Sequence, residues 1–174
     1  YFRSDWKNSA PSVWVTSFCA RVFTEAIFNE WENFLFIDPN IISKAVSWVL
    51  QFQTSEGSFY EVSQYSDRKL NDTYANDGYV QRPNITLTAH VLIALHSVKD
   101  LPGDLGPKLA QARQRAISYL EIKTDQMRNS HSTPYEIALV AYALMVSKSP
   151  KADQAFILLA EKKKTQGKLN MFKF

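Results

Sequence analysis

Apolar residues recur at steps of three and four along most of the chain, a spacing that predicts helices. The first predicted helix covers residues 11 to 30 and tolerates Pro11 in its first turn. The second begins at Asp38 and Pro39, an N-cap followed by a proline at the first helical position, and its end is assigned to Gly57. No segment shows sustained alternation with period two, so the predicted class is all-α. The four later helices are expected at 85–97, 109–120, 133–147 and 152–164.

Between Thr54 and Arg82 the helical pattern gives way to Ser, Asp, Asn, Tyr and Gly. A connection this long is uncommon in a compact domain unless it serves a function. Asn71 and Asn84 each begin an Asn-X-Thr sequon, so both are candidate glycosylation sites. The segment is therefore expected to carry the functional surface.

Six helices joined as three hairpins suggest an internal repeat. The helix around Ala45 reaches Gly57 after twelve residues, and the helix around Ala155 reaches Gly167 after the same interval. The first helix of each hairpin is expected in an inner ring, because the segment near Val140 is apolar almost all round. These features predict an alpha/alpha toroid of helical hairpins. Since a closed toroid needs about a dozen helices, residues 1–174 are expected to form one partial domain with about half of the ring, completed by sequence before Tyr1.

Composition and charge mainly exclude some classes of function. The chain is 45% hydrophobic and 21% charged, which is typical of a globular domain, and its net charge of +3 is scattered apart from a run at Lys162–Lys164. Nucleic acid is not an expected partner, because the basic residues do not gather on one face. No transmembrane segment is expected, since no stretch approaches 18 consecutive apolar residues.

The cysteine and histidines indicate packing rather than chemistry. Cys19, the single cysteine, lies within an apolar helical pattern and cannot form an intrachain disulfide. His90 and His96 are expected to be packing histidines whose hydrogen bonds are satisfied. His131 lies between two serines, but no oriented acid or nucleophile elbow accompanies it. We therefore expect no metal, no cofactor and no catalytic set.

Five blocks of sequence, in order, resemble one known family: the thioester-containing domain of the alpha-2-macroglobulin and complement proteins. They include the stretch APSVWVTSF, the Ile-Asp-Pro helix start and an apolar ITLTAHVLIAL helix. The resemblance covers nearly the whole chain and corresponds to the C-terminal part of that domain. The five blocks lie at 10–18, 36–39, 48–59, 85–95 and 134–144.

The resemblance implies a domain that, in active members, hides an internal Cys-Gln thioester and transfers it to an amine or a hydroxyl. The GCGEQ motif is absent here, and Cys19 is not flanked as that motif requires. Members that favour hydroxyl acceptors place a histidine ten positions after the turn glycine, and counting from Gly57 reaches Asp67. A carboxylate cannot perform the nucleophilic relay of imidazole. The parent therefore either transfers to amines or has lost the chemistry, as insect macroglobulin complement-related proteins have.

The implied function is a non-enzymatic module of a secreted protein, acting in innate immune recognition, protease trapping or extracellular adhesion. Its expected partners are the other domains of the parent and target surfaces or proteases. The alternative is an alpha/alpha-barrel enzyme of the terpenoid cyclase or glycosidase type, which needs carboxylates and aromatics clustered at the barrel mouth. The residues expected to face inward carry no recurring carboxylate pair; they are Thr16, Thr88, Ala89, Ile137 and Ala141.

Overall fold

The computed structural model describes residues 11–28, 36–62, 85–98, 101, 103–128, 132–161, 164–166 and 169–171. Six α-helices dominate these residues, and the predicted all-α class is confirmed. One feature was not predicted: β1 (Lys164–Gln166) and β2 (Leu169–Met171) form a short antiparallel pair. Three residues per strand are too few to show alternation. The helices are α1 (Val13–Phe28), α2 (Pro39–Val49), α3 (Ile85–Ser97), α4 (Leu105–Met127), α5 (Pro134–Val146) and α6 (Ala152–Glu161).

Helix starts follow local chemistry. The Asp38 side chain accepts a hydrogen bond from the Asn40 amide, and Pro39 opens α2, as predicted. Thr133 and Glu136 form a reciprocal capping box at the start of α5. The helix α4 is longer than predicted: it begins at Leu105, and its buried stripe continues past Leu120 through Thr124 to Met127.

The end of the second helix was predicted wrongly. The helix α2 ends at Val49 and is followed by one 3₁₀ turn over Leu50–Phe52. Both end well before Gly57. Gly57 lies instead in a separate turn, with a φ of +99° that favours glycine. A glycine in the sequence marked a turn correctly but not the helix end.

The helices pack in two layers. In the first layer α3 lies between α1 and α5, while α2, α4 and α6 each pack on the first helix of their own hairpin. Every residue of α3 from 86 to 95 is buried except His90, which is partly exposed. All five residues expected to face inward are buried. The first helix of each hairpin thus shares one layer, as the repeat predicted, and closure into a ring stays a prediction.

A cation on α4 joins the layers at the end of α3. Arg113 donates hydrogen bonds to the carbonyls of Leu95 and Val98, the latter at 2.7 Å. These carbonyls lie at the C-terminal end of the helix, where no intrahelical donors remain. Within the described ranges, no helix is both long enough and apolar enough to cross a membrane.

Candidate functional site

The described part of the long connection, residues 53–62, forms a compact turn held by hydrogen bonds. Gln53 forms an antiparallel bridge with Phe59, and its side-chain amide donates to the carbonyl of Gly57 at 3.0 Å and to that of Ala112 on α4 at 2.8 Å. The amide of Thr54 donates to the Ser58 carbonyl at 2.8 Å. The turn therefore has its own geometry and is fastened to α4.

The tip of this turn is pressed against the helices behind it. A Cβ added to Gly57 would lie 2.2 Å from the carbonyl oxygen of Arg115, so no larger residue fits without a backbone shift. Phe59 is fully buried, and its amide donates to the hydroxyl of Thr88 on α3 at 2.8 Å. The turn thus contacts both helices of the second hairpin.

The turn ends on a carboxylate that binds the start of α1. Glu61 Oε1 accepts from the amide of Val13 at 2.8 Å, and Oε2 accepts from the amide of Trp14 at 3.0 Å. The Ser12 hydroxyl donates to Oε2 at 3.2 Å, and the Val62 amide donates to Oε1 at 2.9 Å. Four donors therefore converge on one carboxylate.

This contact satisfies the first turn of α1 completely. Ser12 Oγ accepts from the Val15 amide at 2.9 Å, and the Ser12 carbonyl accepts from the Thr16 amide at 3.0 Å. With the two amides bound to Glu61, each amide from Val13 to Thr16 has a partner. The negative charge also lies at the positive end of the helix dipole.

The contact fixes the last described residues of the long connection. All three predicted site residues, Asp67, Asn71 and Asn84, lie outside the described residues. Val62, the last described residue before them, is held beside α1 through the neighbouring Glu61.

Two histidines of the first layer depart from the prediction. His90 packs against Trp14, with ring centroids 4.8 Å apart, but its Nε2 is buried without a hydrogen-bond partner. The Nε2 of His96 is in the same state. The predicted packing role is confirmed, and the prediction that their hydrogen bonds are satisfied was wrong.

Burial determines the charge of His90. It lowers the pKa of His90 to about 4, a hydrogen bond with the Trp14 backbone opposes this shift, and the charge of Arg21 adds to it. For His96, burial lowers the pKa first and the charge of Arg113 second. The imidazole of His90 is therefore neutral at physiological pH.

Among the described residues, the remaining candidate, Cys19, is not activated. Cys19 is partly buried, and this burial raises the pKa of its thiol, which reduces the thiolate fraction. His131 lies outside the described residues. Among the residues that the structure does describe, no three His, Cys, Asp or Glu side chains are grouped to hold a metal ion.

Sequence reasoning missed Glu61. A helix with Ser12 at its N-cap gave no sign that it needed a second acceptor from far along the chain. The available signal was a glutamate four residues after the turn glycine, in a segment otherwise poor in charge before Asp67. Its role depends on the turn folding back to α1, which local patterns do not report.

The fold and the site define a predominantly helical, two-layered module in which a turn held by hydrogen bonds precedes the long connection. The family model of the A-macroglobulin TED domain matches residues 3–173. The chain belongs to the A-macroglobulin TED domain family, which confirms the predicted resemblance.

Three relatives extend this result. The chain is 29% identical to Ophiophagus venom factor of Ophiophagus hannah over 138 residues, 79% of this chain and 8% of the relative. It is 28% identical to cobra venom factor of Naja kaouthia over 151 residues, 86% of this chain and 8% of the relative. It is 27% identical to thioester-containing protein 1 allele S1 of Anopheles gambiae over 143 residues, which cover 82% of this chain and 9% of the relative. The matched region spans less than a tenth of each relative.

The first prediction concerns the carboxylate contact. Glu61→Gln replaces one acceptor oxygen by an amide group that faces backbone donors, so we expect a loss of about 1–3 kcal/mol in the free energy of unfolding. Glu25→Gln is the matched control, since Glu25 pairs with Arg21 on the surface and should change stability by less than about 1 kcal/mol. Urea denaturation measures both. Equal, small effects would contradict the assigned role of Glu61.

The second prediction concerns pH. The unfolded imidazole binds a proton near pH 6.5 and the folded His90 only near pH 4. The contribution of the neutral His90 to the free energy of unfolding is therefore fully present above pH 6.5. It is lost between pH 6.5 and pH 4, which lowers stability by up to about 3 kcal/mol. His90→Phe keeps a ring against Trp14 and should flatten this part of the curve, leaving the smaller contribution of His96. Denaturation midpoints at half-unit pH steps provide the measurement, and an identical slope in both proteins would refute the assignment.

Proposed function

We propose that this chain is the C-terminal part of a thioester-containing domain and selects the acceptor group without acting as an enzyme. The observation that carries the proposal is the turn ending at Glu61, which leads directly into the segment that contains Asp67. A fixed starting point at Val62 suits a segment whose residue 67 must meet a reactive carbonyl elsewhere in the domain. The family match supports the same domain assignment.

The chemistry of residue 67 determines the acceptor. An imidazole can attack the thioester carbonyl, forming an acyl-imidazole and releasing the thiolate. The thiolate then takes the proton of a weakly nucleophilic hydroxyl as it attacks the acyl-imidazole, which frees the imidazole again. An aspartate is ionised at neutral pH and forms no comparable acyl intermediate. A parent that retains its thioester therefore transfers to amines, which react without a relay.

A second function needs no thioester. If the parent has lost the Cys-Gln bond, the domain acts only by binding, in innate immune recognition, protease trapping or extracellular adhesion. Its partners are then the other domains of the parent and target surfaces or proteases. Asp67 has no role in this second function. Acceptor labelling therefore separates the two proposals.

The family match supports a cellular setting for the parent. We place the parent outside the cell, with glycans on Asn71 or Asn84 if either sequon is used. The alpha/alpha-barrel enzyme remains the rival class, and it requires a carboxylate pair that contacts a bound substrate. The description of one relative as a thioester-containing protein favours the thioester domain over this rival.

The extent of the domain is also a proposal. Residues 1–174 form one partial domain whose hairpins would continue into a toroid. Exposed apolar side chains occur at both ends of the row of hairpins, with Phe18 and Val22 on α1 and Phe156 and Ile157 on α6. Completion from both ends accounts for these side chains better than completion from the N-terminal side alone.

The third prediction tests acceptor choice in a parent with an intact thioester. Asp67→His should raise transfer to glycerol relative to glycylglycine, because imidazole supplies the missing relay. Incorporation of the two radiolabelled acceptors after proteolytic activation gives the ratio, and Asp67→Asn is the matched control that adds no imidazole. Efficient glycerol labelling by the unchanged protein would overturn the role of residue 67. Labelling of neither acceptor would favour the purely binding function.

The fourth prediction tests the partial domain. Residues 1–174 produced alone should self-associate, because Phe156 is 66% exposed and an exposed apolar side chain of this size gains about 1.5–3 kcal/mol on burial. Sedimentation velocity over a range of concentrations should show growing assemblies, reduced by Phe156→Lys. Gln111→Lys adds the same single charge at an exposed, already polar position of α4 and should reduce them less. A monomer at all concentrations would indicate a complete domain.

A further inference from the structure

The end of α3 is held by a cation on the neighbouring helix. Arg113 on α4 donates from Nε to the carbonyl of Leu95 at 3.0 Å, and its Nη2 donates to the carbonyls of Leu95 and Val98, the latter at 2.7 Å. Carbonyls at a helix end have no intrahelical donors, and they carry the negative end of the helix dipole. A guanidinium suits this position, because it is charged and presents several donors in one plane. We call this contact the Arg113 clamp.

The compact turn of the long connection is attached to the same two helices that the Arg113 clamp joins. On α3, the hydroxyl of Thr88 accepts a hydrogen bond from the amide of Phe59 at 2.8 Å. On α4, the carbonyl of Ala112, the residue before Arg113, accepts one from the side chain of Gln53 at 2.8 Å. A change in the distance between α3 and α4 would therefore pull the two anchors of the turn apart.

His96 lies next to the Arg113 clamp. It follows Leu95 directly in the last turn of α3, and its Nε2 is buried without a hydrogen-bond partner among the described residues. Burial lowers the pKa of His96 most, and the charge of Arg113 lowers it further. The neutral ring therefore stabilises the folded state fully above pH 6.5, and this contribution is lost as the pH falls toward the folded pKa. Acid thus places a second cation beside Arg113.

The charge of Arg113 is the one that acts on His96. The helices α1, α4 and α5 pack on α3, which carries no Asp, Glu, Lys or Arg of its own. Among the described residues, no other charged group shifts the pKa of His96. The charged groups on α1, α5 and the turn are Arg21, Glu25, Glu56, Glu61 and Glu136. The other histidine of α3, His90, has a pKa of about 4 and stays mostly neutral at pH 5.

We propose that the Arg113 clamp is an acid-sensitive latch, in which protonation of His96 repels Arg113 from the end of α3 and loosens the turn. Arg113 stays charged throughout, because a guanidinium does not lose its proton in proteins. Two cations at a half-buried site repel each other more strongly than they do in water. A protonated imidazole also has two donors, and Nε2 has no acceptor among the described residues. The inference goes beyond the proposed function, since it requires neither a thioester nor Asp67.

Hydrogen exchange in the full-length polypeptide, followed by mass spectrometry between pH 7.5 and pH 5.0, tests the latch. After correction for the pH dependence of intrinsic exchange, protection of peptides covering residues 50–62 should fall about threefold or more toward pH 5.0. His96→Gln cannot titrate in this range and should show constant protection. His90→Phe is the matched control and should show the same fall as the unchanged protein. Constant protection in the unchanged protein, or an equal fall in His96→Gln, would overturn the proposal.

Two variants of the clamp itself separate repulsion from the effect of burial. Arg113→Gln keeps an amide donor but removes the charge, whereas Arg113→Lys keeps the charge. Each may begin with lower protection, so the ratio between pH 7.5 and pH 5.0 is compared within each protein. This ratio should be smaller for Arg113→Gln than for Arg113→Lys, because only the lysine repels a protonated His96. Equal ratios would show that burial alone governs His96 and would overturn the latch. Neither experiment uses acceptor labelling, so failure here leaves the proposed role of Asp67 intact.

Discussion

The contact of the Glu61 carboxylate with the first turn of α1 is the constraint on which the arrangement of the site depends. It joins residues almost fifty positions apart, and it is the only acceptor given to the amides of Val13 and Trp14 by the hydrogen bonds described above. A helix start without such an acceptor leaves buried donors unpaired, which costs more than the hydrogen bond itself gains. The described part of the turn and the start of α1 therefore hold each other in position.

The remainder of the turn is built to hold that carboxylate in place. Gly57 allows contact with the backbone of α4, and Phe59 fills the core while its amide binds Thr88. Each contact alone is modest, but together they remove the freedom of the turn relative to both layers.

The sequence predicted most of the fold and little of the site. Helices were found because their apolar periodicity is a local property, and Asp38 and Pro39 identified a helix start because capping is local too. The sequence did not predict the role of Glu61 or the unpartnered Nε2 of His90, because both depend on how distant segments pack together. The residues singled out through the family, Asp67, Asn71 and Asn84, lie outside the described residues, so their roles stay predictions.

Two places in the first layer differ in whether their polar groups have hydrogen-bond partners. At the start of α1, every amide from Val13 to Thr16 finds an acceptor within the chain, so this end needs no further partner. Beside α3, the buried Nε2 of His90 lacks a donor, and apolar side chains around it remain half-exposed. Natural interiors rarely keep such an acceptor unpaired. The start of α1 is therefore satisfied by contacts within the described residues, whereas Nε2 of His90 has no hydrogen-bond partner among them.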